Sequence, residues 1–164
     1  FYPILNALRK ETDETIILGQ IASTGNSILY LKVFESSQAI RYTSEIGAKK
    51  PIHSTAIGKA ILSSMPEEQR SRAARSLKFK GITDRTIADA EDLLEDIRQG
   101  LDRGYQMTRG ENVVDVGALA MPVAFLGRTF GVAVAGPVER LKNHLESHKK
   151  ALRRACDELE ALTG

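Results

Sequence analysis

The chain has 164 residues, of which 42% are apolar and 27% are charged. A chain of that length buries roughly 70% of the surface that its unfolded form exposes, so one domain can be stable without disulfides or a structural metal. Its 23 basic and 21 acidic residues nearly cancel, which disfavours nucleic-acid binding through overall charge, and no apolar run reaches the roughly 18 residues of a membrane-spanning helix.

The N-terminal part predicts a short helix followed by three strands. Apolar residues at helical spacing predict an amphipathic helix over residues 2–13. Two segments rich in β-branched and aromatic residues, 14–22 and 27–34, flank a short polar turn and predict a hairpin. We expect a third strand over about 38–43 and then a loop that contains Pro51.

The rest of the chain predicts three helices, three further strands and a helical C-terminus. In chain order these are a helix from Ser54, a second from Pro66 to about 77, a third over 89–103, strands over 105–108, 116–125 and 128–135, and helical segments from Pro137 and over 146–162. Strands grouped in meanders, with helices between the groups, predict an α+β fold with an antiparallel sheet of about six strands. We expect residues 1–164 to form a single domain.

The polar residues do not complete any of the known catalytic motifs considered below. The segment around Lys59 lacks the spacing of a phosphate-binding loop, and the G-x-S-x-G pattern of a serine nucleophile is missing from the sequence. Glu111 and Asp115 could form an acid–base pair, but their loop is of a kind that is usually solvated. His144 and His148 have a zinc-binding spacing, for which a solvated helix face is the simpler interpretation. We therefore predict neither an enzyme nor a cofactor or metal site.

The most informative segment is residues 47–60, with the sequence GAKKPIHSTAIGKA. If Ser54 is the N-cap of the following helix, the backbone N–H groups of Ala56 and Ile57 lack partners inside it, and the helix dipole adds partial positive charge. Such a helix end binds carboxylates and phosphates. The alternative is that Ser54 or Thr55 simply caps its own helix.

Four segments in order carry a family resemblance: residues 47–60, Gly104-Tyr105 with 110–112, 118–123, and 130–137. Together they resemble the C-terminal effector-binding domain of the IclR family of bacterial transcriptional regulators, over nearly the whole chain. The resemblance implies a GAF-like antiparallel sheet flanked by helices. It also implies a homodimer or tetramer that binds small organic acids. Binding to a membrane is not expected.

Members of that family carry an N-terminal winged helix-turn-helix that reads DNA. The resemblance implies that this domain is missing from the 164 residues, and that DNA is a partner of the full-length protein. The start at Phe1 without an initiator Met and the small net charge of +2 agree with that expectation. The lone Cys156 has no partner for an internal disulfide, which leads us to expect a cytoplasmic location. We also expect Cys156 to lie in the core.

The resemblance also implies which residues wall the effector pocket. Family members often carry hydroxyls where this chain has Ala133 and Ala135, so we expect lost hydrogen bonds and extra volume. We therefore expect an acid with a larger or more apolar body, for instance an aromatic one, rather than glyoxylate or pyruvate. Thr108 or Glu111 would come from the loop after Gly104. Lys50 would either supply a second cation for the carboxylate or be a solvent-exposed lysine of its loop. The expected effector-binding residues are Tyr42, Lys50, Ser54, Thr55, Ala56, Ile57, Thr108, Glu111, Val116, Ala118, Ala133 and Ala135.

Two other functions stay open at the level of sequence. One is a small serine-dependent hydrolase that uses Ser54 and His53, although adjacent side chains entering a helix point in different directions. The other is a dimerisation module without a ligand. For the effector-binding domain, we expect occupancy to shift the populations of two oligomeric arrangements and so the spacing of the DNA-reading domains.

Overall fold

The computed structural model describes residues 1–163. Its elements are α1 (Tyr2–Thr12), β1 (Thr15–Ile21), β2 (Ser27–Phe34), β3 (Lys49–Pro51), α2 (Ala56–Ser63), α3 (Glu67–Arg75), α4 (Ala90–Arg103), β4 (Gln106–Arg109), β5 (Val116–Phe125), β6 (Arg128–Pro137), α5 (Val138–Asn143) and α6 (Leu145–Ala161). The strands form one six-stranded sheet in the order β3-β2-β1-β6-β5-β4, and all neighbours are antiparallel. The predicted α+β fold with an antiparallel sheet is confirmed.

The predicted third strand over 38–43 is wrong, because that segment is irregular and the third strand of the sheet is β3. The polar groups of the segment bind side chains and turns near the start of β1 instead of a neighbouring strand: Thr15 Oγ1 donates to the carbonyl of Tyr42, and Gln38 Nε2 donates to the carbonyl of Asp13. Pro51, expected in a loop, ends the edge strand β3, where a missing N–H costs no hydrogen bond in the ladder.

Large apolar side chains cover one face of the sheet, which we call the α6 face. On this face, alternate residues of β5 and β6 pack against the inner sides of α1, α5 and α6. Burial of these side chains supplies much of the stabilising apolar contact of the domain. Its main members are Leu5, Leu8, Ile16, Leu119, Met121, Val123, Val132, Val134, Leu152, Cys156 and Leu159.

Small side chains occupy the opposite face, which we call the α2 face. Ala120, Ala133 and Ala135 point toward α2 and are nearly inaccessible to solvent. At Gly131 of β6 an added Cβ would lie 2.7 Å from Ile57 Cγ2, so α2 lies almost directly on the backbone of the sheet. The small residues therefore let the N-terminal end of α2 sit close to β5 and β6.

The helix boundaries agree with their sequence signals. Asp89 caps α4 by accepting a hydrogen bond from the N–H of Asp92 at 2.8 Å, and Gly104 ends it in the left-handed region at φ 91°. Cys156 is buried in the α6 face, and burial raises the pKa of its thiol to about 12. Within residues 1–163, the helices are too short or too polar to cross a bilayer.

Candidate functional site

The N-cap of α2 is Thr55, which has an extended backbone with φ −117° and ψ 145°. Its Oγ1 accepts a hydrogen bond from the N–H of Gly58 at 3.1 Å and donates to the carbonyl of Pro51 at 3.1 Å. The cap thus takes up the third N–H of the helix. The N–H groups of Ala56 and Ile57 have no hydrogen-bond partner within residues 1–163.

These two N–H groups belong to residues that line a small cavity between α2 and the sheet. Strands β1, β5 and β6 supply one wall, and two irregular segments, residues 35–48 and 110–115, supply another. The structure brings ten of the twelve expected residues to this cavity: Tyr42, Ser54, Thr55, Ala56, Ile57, Thr108, Val116, Ala118, Ala133 and Ala135.

Two expected residues, Lys50 and Glu111, are not part of the cavity lining in the described part of the chain. Lys50 lies on the edge strand β3, where it pairs with Ile28 of β2. The Glu111 carboxylate turns away: Oε1 accepts from Lys59 Nζ at 2.7 Å, and Oε2 accepts from the N–H of Arg109 at 3.0 Å. Of the two alternatives expected after Gly104, only Thr108 lines the cavity, and it lies on β4 rather than on a loop.

The cavity is small, with a volume of about 30 Å³, which is about what one water molecule occupies in the liquid. Ala133 and Ala135 both line this cavity, and the expectation that they leave more volume than hydroxyl-bearing residues stays a prediction. The rings of Tyr30 and Tyr42 line the same space, and Tyr30 is buried. Burial also raises the pKa of the Tyr30 hydroxyl far above its usual range, so this group stays neutral.

The polar groups that reach the cavity are mainly hydrogen-bond donors. Ser54, which is fully buried, donates from Oγ to Asn112 Oδ1 at 3.1 Å. Thr108 is only 6% exposed, and its hydroxyl makes no hydrogen bond within residues 1–163. Together with the free N–H groups of Ala56 and Ile57, the Thr108 hydroxyl can bind an acceptor-rich anionic group such as a carboxylate, whereas the O–H of Ser54 is taken up by Asn112.

A buried lysine lies behind the cavity, and the sequence reasoning did not identify it. Lys59 of α2 is completely inaccessible, and its Nζ donates to the carbonyl of Met107 at 3.0 Å and to Glu111 at 2.7 Å. Asp96 Oδ2 of α4 lies 2.7 Å from the same nitrogen, as an ion pair without good hydrogen-bond alignment. A signal was present in the sequence, since Lys59 is the one charged residue of the eight in α2.

The geometry does not assemble the serine–histidine pair of a hydrolase. The His53 ring is buried, its Nε2 lies 2.9 Å from the carbonyl oxygen of Lys80, and it packs against Phe79 at 5.0 Å between ring centroids. The Ser54 hydroxyl donates to Asn112 instead. His53 therefore anchors the segment that follows α3, as a residue that fixes a turn.

A larger cavity of about 530 Å³ lies beside the α6 face, between β4, β5 and α5. Apolar residues such as Leu119 and Leu141 form its floor. Its rim carries both signs of charge in equal number, so it offers no preference for an anion. The charged residues of the rim are Asp84, Arg85, Arg109, Asp115, Glu139 and Lys142.

Comparison with known proteins places the chain in a family. The family described as "Bacterial transcriptional regulator IclR C-terminal" matches residues 1–161. The regulator BhcR of Paracoccus denitrificans is 30% identical over 160 residues, which are 96% of this chain and 57% of that protein. The regulator KdgR of Escherichia coli is 33% identical over 132 residues, which are 80% of this chain and 48% of that protein. The chain spans about half the length of these relatives.

Solved structures agree with the sequence comparison. The IclR protein of Thermotoga maritima superposes with a TM-score of 0.90 at 25% identity, covering 99% of this chain and 66% of that one. The C-terminal domain of Escherichia coli KdgR superposes with a TM-score of 0.86 at 27% identity, covering 99% of this chain and 95% of that one. This chain therefore belongs to the family of bacterial transcriptional regulator IclR C-terminal domains.

Proposed function

We propose that this domain is the effector sensor of a transcriptional regulator, and that it binds a small carboxylate at the N-terminal end of α2. The observation that carries the proposal is the set of free donors around one cavity. Because Thr55 takes up the N–H of Gly58, the unpaired N–H groups at the start of α2 within residues 1–163 are those of Ala56 and Ile57. The buried, unpaired hydroxyl of Thr108 lines the same cavity.

A carboxylate suits these groups better than a larger anion. The helix end contributes about half a positive charge, and the nearby Lys59 ammonium is already paired with two carboxylates and bound to a carbonyl. The remaining walls are apolar, with Ile17, Ala133 and Ala135 among them. The ligand that we propose is a monocarboxylate with an apolar body.

Binding of such a ligand requires the cavity to open, because the cavity volume of about 30 Å³ is too small for an acid with an apolar body. The strands and α2 are fixed by the sheet ladder and by close packing at Gly131. In the proposal the wall opens at the irregular segment 35–48, which carries Tyr42, because Thr83 and Thr86 bind the carbonyls of Gly110 and Glu111. A ligand that binds the opened arrangement better would shift the population toward it.

We further propose that this shift is transmitted to DNA. The relatives are named as HTH-type regulators, and this chain spans about half their length. In the proposal, a winged helix-turn-helix lies in the part of the full-length protein beyond these residues, the protein is a cytoplasmic homodimer or tetramer, and the ligand changes the arrangement of its subunits. Such coupling needs a difference in ligand affinity between two arrangements.

Calorimetric titration of the purified domain tests the proposal with four acids: glyoxylate, pyruvate, isobutyrate and benzoate. We expect isobutyrate or benzoate to bind more tightly than the two oxoacids, because the cavity walls are apolar. The variant Ala135→Leu would fill the site and abolish binding, whereas the matched change Ala124→Leu, at an exposed position of β5, would leave it unchanged. No binding by any of the four acids would overturn the proposal.

The DNA part needs the full-length protein. Its affinity for the DNA upstream of its own gene, and its sedimentation profile, would be measured with and without the acid that binds most tightly. We expect both to change on saturation. If neither changes, the proposed coupling is wrong even where the domain binds the acid.

The small volume of the cavity favours one alternative, a dimerisation module without a ligand. A thermal-shift measurement separates the two functions. A ligand at 100 times its dissociation constant stabilises the folded state by about 2.7 kcal/mol, whereas a module without a ligand site would show no shift with any of the four acids.

A further inference from the structure

Resting on the proposed function, we propose that Asn112 determines the preference of the site for an acid over the corresponding amide. Asn112 was not among the residues expected to bind the effector. It lies in the segment 110–115 that covers the cavity, and Asn112 belongs to the cavity lining. Its free amide nitrogen is the group that would donate to one oxygen of a bound carboxylate.

The contact with Ser54 fixes the direction of the Asn112 side chain. Ser54 is fully buried, and its hydroxyl donates to Asn112 Oδ1 at 3.1 Å. Because the oxygen end of the amide is held by this bond, the Nδ2 end is the free one. Within residues 1–163, Nδ2 makes no hydrogen bond, so both of its N–H groups are available to a ligand.

The backbone before Asn112 is also held in place. Thr83 Oγ1 donates to the carbonyl of Gly110 at 2.5 Å, and Thr86 Oγ1 donates to the carbonyl of Glu111 at 2.7 Å. The Glu111 carboxylate is bound in turn by the buried Lys59. Asn112 therefore follows two anchored residues, and a donor that is fixed before binding loses little entropy when the ligand arrives.

The chemistry of the side chain gives a way to reverse the preference. Aspartate has nearly the shape of asparagine, and one of its oxygens can still accept the hydrogen bond from Ser54. Its second oxygen stands where the amide nitrogen was, so a donor becomes a negatively charged acceptor. That group repels a carboxylate but accepts a hydrogen bond from the NH₂ group of a carboxamide.

The test compares acid and amide pairs of the same shape. Calorimetric titrations of benzoate against benzamide, and of isobutyrate against isobutyramide, would be carried out on the unchanged domain, on Asn112→Asp and on Asn143→Asp. The last is a matched control, since Asn143 is an exposed asparagine at the end of α5 and is not part of the cavity lining. Thermal melts of all three proteins would be compared to check that each variant folds.

We expect the unchanged domain and Asn143→Asp to prefer the acid of each pair. In Asn112→Asp the acid should bind about 10- to 100-fold more weakly, because a hydrogen bond to a charged group is lost. The amide should bind at least as well as before, so that the preference reverses. A merely structural role for Asn112 would weaken acid and amide by the same factor.

The outcomes separate the inference from the proposed function. If the unchanged domain binds the acids and Asn112→Asp keeps their preference over the amides, the role of Asn112 is wrong and the carboxylate site stands. An equal loss for acid and amide also rejects the role. If the unchanged domain binds none of the acids, the proposed function fails and the inference fails with it.

Discussion

The two faces of the sheet are formed by the same strands but carry side chains of different size. Along β5, Leu119 and Met121 point to the α6 face, while Ala118 and Ala120 alternate with them and point to the α2 face. The α6 face is filled with large aliphatic side chains. The α2 face has small ones, so that a helix lies close to the backbone of the sheet.

The buried polar residues are also distributed unequally between the two faces of the sheet. Several buried polar residues lie in α2 or directly before it, whereas Thr12 and His148 belong to the helices α1 and α6, and Glu14 follows shortly after α1. A core of close-packed aliphatic residues stabilises the fold, but buried donors without partners cost free energy. The comparison agrees with the proposal that the α2 face carries the site, while the large aliphatic side chains are concentrated on the α6 face. Buried polar residues on the α2 side are His53, Ser54, Thr55, Lys59 and Thr108.

Lys59 should show the largest effect. The change Lys59→Met removes the cation that neutralises Glu111, whose side chain is 12% exposed, and the nearby Asp96. Loss of one partner of a buried ion pair costs about 3–5 kcal/mol, to be measured by urea denaturation. The control Lys142→Met, at an exposed lysine, should change the free energy of unfolding by less than about 0.5 kcal/mol. An equally small loss in Lys59→Met would show that the cluster is not essential to the fold.

On the α6 face, Leu152→Ala should lower the free energy of unfolding by about 2–5 kcal/mol, because Leu152 is fully buried and its truncation leaves a cavity. Leu126→Ala, at a leucine that is 77% exposed, is the control. The acid affinity of Leu152→Ala should equal that of the unchanged domain at a temperature where both are folded. If the acid affinity falls along with the stability, the α6 face also affects acid binding, and the proposed separation of the two faces is wrong.

The close approach of α2 to the sheet predicts a smaller effect at Gly131. In Gly131→Ala the new Cβ would lie 2.7 Å from Ile57 Cγ2, so α2 must shift, at a cost of about 1–3 kcal/mol. The shift should also weaken acid binding, since Ile57 supplies one of the free N–H groups. Gly81→Ala, where the added atom meets nothing within 4 Å, serves as the comparison. Unchanged stability and affinity in Gly131→Ala would contradict this packing.

The smallest effect should come from pH. Burial lowers the pKa of His148 below its usual 6.5, and this outweighs the opposing attraction of Glu14 and acts together with repulsion from His144 and Arg140. The imidazole therefore takes up a proton more readily in the unfolded chain than in the folded domain. As the pH falls through 6.5, the free energy of unfolding should decrease. Urea titrations at pH 7 and pH 5 should show a smaller decrease in His148→Leu; an identical decrease would assign the effect to other groups.

The elements whose residues alternate or repeat regularly could be predicted from sequence. The range 116–125 of β5 and the end of α4 at Gly104 are examples, since local periodicity and a left-handed glycine determine them. The strand expected over 38–43 failed because Thr15 and Asp13, distant in sequence, take up hydrogen bonds of that segment. The local sequence pattern does not indicate such hydrogen bonds between residues that are distant in sequence.

The same reason explains what the sequence missed at the site. The family resemblance supplied most of the cavity lining, but it did not indicate that Lys59 binds Glu111, 52 residues away, or that Ser54 binds Asn112, 58 residues away. Both contacts depend on the fold that brings α2 beside the segment 110–115.

Proton–nitrogen correlation spectra of the ¹⁵N-labelled domain, recorded during titration with isobutyrate and with benzoate, test the central claim most directly. The account predicts saturable shifts of the backbone amide resonances of Ala56 and Ile57, which follow the same binding curve as resonances of the segment 110–115. It is contradicted if those two amides stay in place, or if the shifts occur only among residues beside the α6 face, such as Leu141 and Leu145.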